Sequence, residues 1–144
     1  MFSSSATMTY GRPGHFAQAY RSIAAETGIT DASPHRLVTM LYDGFLDAVT
    51  EARGAMRSGD LERKGRAIGK AVRIVEEGLR AGLNLKQGGR LASDLNELYR
   101  YVGRRMTEAN LRNDEAALDE CQRLVQPLRE AWITISTPSS RTDA

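Results

Sequence analysis

Few residues in this chain could do chemistry, and their spacing argues against it. Histidine occurs only at His15 and His35, and cysteine only at Cys121. A di-iron site inside a helical bundle needs Glu-x-x-His pairs on facing helices, and no glutamate here has a histidine three residues later. A zinc site needs more Cys and His than the chain holds. Neither a GxxxxGK[ST] phosphate loop nor a GxGxxG turn after a strand is present. Cys121 falls on an apolar stripe and is expected in the core, where a thiol is inert. His35, just inside a helix start, reads as a surface or partly packed residue. No catalytic residue, metal site or cofactor is expected, and the chain is read as not an enzyme.

Charge leads to a similar conclusion. Arg63-Lys64-Arg66 and Arg104-Arg105 are interleaved with Glu62, Asp94, Glu97 and Glu108, which reads as solvated helix faces with i,i+4 ion pairs. The 20 basic and 18 acidic residues give a net charge of +2, too little for a nucleic-acid surface. The tyrosines are more informative. Tyr99 and Tyr101 are two apart and point to different sides of one helix, so one is expected in the core and the other at the surface or lining a groove, where an amphipathic ring suits partner binding.

The elements that must position these residues are helical. The chain has 144 residues, 41% hydrophobic and 26% charged, the composition of a soluble globular domain. No apolar run approaches the ~20 residues of a membrane span, no signal peptide is expected, and a single cysteine allows no internal disulfide; a cytoplasmic protein without membrane insertion is the expectation. Residues 1–15 and 137–144 read as flexible segments around a helical domain over residues 16–136. A short helix is expected over Phe16–Glu26. Ser33 caps a second helix that starts at Pro34 and runs to about Met56, with Leu37, Leu41, Phe45, Ala48 and Ala52 in a stripe too wide for one neighbour. Asp60 caps a third, to about Leu85. Gly65, Gly69, Gly78 and Gly82 lie inside it, and close approach by another helix is the expected reason, since each costs about 1 kcal/mol relative to Ala; a break of the helix near Gly78 or Gly82 is the alternative. A fourth helix begins near Arg90. A fifth follows the cap Asp114, and Pro127 within it is expected to kink it. Short loops favour antiparallel neighbours. The fold expected is all-α: an antiparallel up-down four-helix bundle with the short N-terminal helix packed on it. Gly44, the wide stripes and the small residues suggest grooves that accept another helix.

The order of these pieces resembles the flagellin-specific export chaperones of the FliS type. Tyr20 precedes Ser33-Pro34-His35-x-Leu37 and Met40-Leu41-Tyr42-Asp43-Gly44. Lys64-Gly65, Lys70-Ala71, Ile74 and Gly78-Leu79-x-Ala81-Gly82-Leu83 follow. Then come Gly88-Gly89, Glu97-Leu98-Tyr99-x-Tyr101, Arg104-Arg105, the run Ala109 to Asp114, and Ala131-Trp132-x-x-Ile135-Ser136. Each piece alone is weak, but their order and spacing over Tyr20 to Ser136 are specific. Pro127 is a departure from the pattern.

The resemblance implies a cytoplasmic, non-enzymatic bundle that binds the disordered C-terminal region of flagellin, prevents its premature polymerisation and delivers it to the flagellar type III export gate. By motif position it implies Tyr20, Leu37, Leu41, Tyr42, Ile74, Leu79, Leu83, Leu98, Tyr99 and Tyr101 as groove or groove-supporting residues, many of them shared with the core. The segment carrying Tyr10 and Phe16 is expected to cover the groove when no client is bound. A homodimer through the same grooves, and an anti-sigma factor or co-chaperone as a further partner, stay open. A regulatory helical module and an enzyme with an unrecognised site are the alternatives from other classes.

Overall fold

The computed structural model describes residues 33–135. The short helix over Phe16–Glu26, the segments 1–15 and 137–144, the groove-covering role of Tyr10 and Phe16, and Tyr20 lie outside the described residues. Within them the chain forms four helices: α1 (Pro34–Ser58), α2 (Leu61–Arg73, continued by a π-helical segment Ile74–Arg80), α3 (Gly89–Arg112) and α4 (Glu115–Thr134). The expected all-α bundle is what forms.

The helix ends follow from local chemistry. The Ser33 hydroxyl accepts from the Arg36 N–H at 3.2 Å, and Pro34 occupies the first turn, where its missing donor is not needed. α1 stops at Gly59, whose φ of 76° is open to glycine without strain, and the turn closes with the Asp60 N–H on the Ala55 carbonyl at 2.9 Å. Asp60 and Asp114 cap α2 and α4 by accepting from Arg63 N–H at 3.1 Å and Ala116 N–H at 3.0 Å. Two departures from expectation occur in and after α2. Its helical path ends at Arg80 rather than near Leu85 and leaves residues 81–88 as a connection, so Gly82 is not inside a helix. A Cβ added at Gly65 or Gly69 would meet no atom within 4 Å, so no described helix approaches closely there. α4 continues through the exposed Pro127.

The helices are arranged in a ring. α1 packs on α2 and α4, and α3 packs on the same two. α1 and α3 meet across the middle, where the Tyr42 and Tyr99 hydroxyls are 2.6 Å apart in the buried core. Phe45, Val49, Ala52, Val102, Met106 and Leu118 belong to the same core, each fully buried. Along the α1–α4 seam the pairs run in opposite senses. His35 stacks on Trp132 with ring centroids 4.9 Å apart, the Trp132 indole N–H donates to the His35 carbonyl at 2.9 Å, and His35 Nε2 donates to the Trp132 carbonyl at 2.9 Å. Asp43 pairs with Arg129, and Arg53 reaches Glu115 and Asp119, each at 3.1 Å. α2 and α3 also run oppositely. Lys64, read from sequence as solvated, is 94% buried (6% exposed) and donates to the Asn110 carbonyl at 3.0 Å and to Asn113 Oδ1 at 3.1 Å, closing the end of α3. At the other end Arg80 donates to Asn96 Oδ1 at 3.0 Å.

Two predictions follow from these contacts. Lys64→Met keeps the aliphatic stem and removes the charged donor, so unfolding free energy should fall by about 1.5–3 kcal/mol in a denaturant titration; an unchanged value would mean that the α3 end satisfies itself. The hydrogen bond from Arg57, then that from Arg53, holds the Glu115 carboxyl below its ordinary 4.5. A depressed carboxylate contributes stability that is present above the unfolded value and is lost as pH falls through the folded one. Glu115→Gln should therefore be less stable than the parent at pH 7, and the difference should close as the pH falls through the depressed folded value. A difference that persists at low pH would assign the effect to packing rather than charge.

Candidate functional site

No group of three or more potential metal ligands occurs among the described residues. Cys121 is fully buried against the Val102 carbonyl, and burial pushes its thiol up to about 12, which keeps it protonated and unreactive at neutral pH. No described helix is long and apolar enough to cross a membrane. The arrangement offers surfaces for binding.

The candidate residues read from the sequence are spread between core and seam. Leu37, Leu41, Tyr42, Ile74, Leu79, Leu83 and Tyr99 are all buried in one apolar core. Leu98 and Tyr101 are half-buried. Tyr99 and Tyr101 divide as their spacing requires. Tyr99 points to the centre, while the Tyr101 hydroxyl donates to Glu120 Oε2 at 2.5 Å across the α3–α4 seam. Arg105 donates to the other oxygen of Glu120 at 2.8 Å. These bonds hold the Glu120 carboxyl below its ordinary range, Tyr101 first and Arg105 second, and the carboxylate raises the Tyr101 phenol. Tyr101 is thereby fixed on α4. Tyr42 does reach an opening: with Leu91, Leu95, Leu128, Ala131, Trp132 and Ile135 it lines a small apolar cavity of ≈ 120 Å³.

The larger opening lies elsewhere, along the α2–α3 seam. Val72 and Glu76 on one side, and Gly103, Arg104, Thr107 and Glu108 on the other, line a shallow groove of ≈ 400 Å³. Gly65, Gly69, Val72 and Glu76 recur at intervals of four, three and four, which places them on one face of α2. Arg104, Thr107 and Leu111 do the same on α3. Leu111, 83% exposed, extends that stripe toward the end of α3. The floor is low because glycine supplies it. Gly103 is buried, and a Cβ there would come within 2.5 Å of Glu76 Oε2. Glu76 stands on the π-helical segment, a wide turn of the kind found at functional sites. Its Oε1 accepts from Arg80 at 2.9 Å.

Sequence reading passed over Gly103, Thr107 and Glu76. The usable signal was the unspent glycines: Gly65 and Gly69 have no close neighbour, so they shape a surface rather than a helix contact.

The sequence matches the family described as Flagellar protein FliS over residues 16–139. Similar proteins include the flagellar secretion chaperone FliS of Salmonella typhimurium, 43% identical over 85% of this chain and 91% of that one. The flagellar secretion chaperone FliSB of Pseudomonas aeruginosa is 41% identical over 81% of this chain and 92% of its own. That of Bacillus subtilis is 32% identical over 74% and 78%. An all-helical bundle, a sequence match across most of its length and relatives at this identity together place the chain in the FliS family of flagellar proteins.

Proposed function

We propose that this chain is a cytoplasmic export chaperone that holds the disordered C-terminal region of flagellin in apolar grooves, keeps it from polymerising and helps deliver it to the flagellar type III export apparatus. The names carried by its relatives support the chaperone role. The observation that carries the binding mode is the α2–α3 groove, where Val72 and the bare Gly103 lie between charged side chains and which the described residues leave unfilled. An amphipathic segment of a disordered client cannot bury its apolar face alone. Laid along this trough, it buries that face at roughly 25 cal/mol per Å² of apolar surface, offset by its ordering entropy. No nucleotide is required for such a cycle. On this reading Tyr42, Leu79, Tyr99 and the other buried candidates act by holding the helices that form the walls, and Tyr101 acts by tying α3 to α4.

The test is calorimetric titration with the C-terminal ~40–50 residues of the cognate flagellin, where coupled folding on apolar burial gives a negative heat-capacity change. The expected result is 1:1 binding with that signature. Val72→Asp should weaken it about tenfold or more while the helical circular dichroism is unchanged. Absence of binding to a well-behaved peptide overturns the proposal, and binding insensitive to Val72→Asp moves the client to another surface.

A further inference from the structure

We draw no further inference here: the strongest candidate, the small apolar opening on the α3–α4 seam lined by Leu91, Leu95, Leu128, Ala131 and Ile135, carries nothing because nothing in the structure shows what covers it.

Discussion

Around α1, apolar side chains occupy more of the circumference than one neighbouring helix can cover, and the other three helices are placed by that fact. Phe45, Val49 and Ala52 are wholly buried, and Leu37, Val38, Leu41 and Tyr42 nearly so. Two helices must flank α1, which α2 and α4 do, and a third must close the ring on the far side. The Tyr42–Tyr99 hydroxyl contact shows how completely it closes, since it joins two helices that otherwise scarcely touch. Polar groups then fix what apolar packing leaves loose. The His35–Trp132 stack and the Arg53 and Arg129 pairs set the α1–α4 register, and Lys64 sets that of α2 against α3.

The groove is the remainder of that arrangement. α2 spends its large side chains, Ile68, Ile74, Val75 and Leu79, on the core. Its other face carries Gly65 and Gly69, and the matching part of α3 carries Gly103 and Thr107. With so little side chain on either lip, the seam stays open although the core beneath it is closed. Four glycines within or just beyond one helical stretch are costly for helix stability. Two of them have no packing reason among the described residues, and a docked helix would supply one.

Much of this was legible beforehand. Ser33, Asp60 and Asp114 cap helices because their oxygens are the local acceptors for N–H groups without partners, and sequence alone shows that. The stripes of Leu37 to Ala52 and Val102 to Ala109 show which faces turn inward. Stripes do not show whose surface buries them, which is why most of the residues singled out by motif lie in the core. Tyr101 illustrates the limit: its spacing from Tyr99 moves it off the core, but only the positions of Glu120 and Arg105 decide that it turns to α4. The π-helical segment was also beyond reach, because the apolar spacing from Ile74 to Leu79 suits an α-helix equally well. Lys64 looked like its neighbours Arg63 and Arg66, and what buries it is the end of α3, 46 residues away.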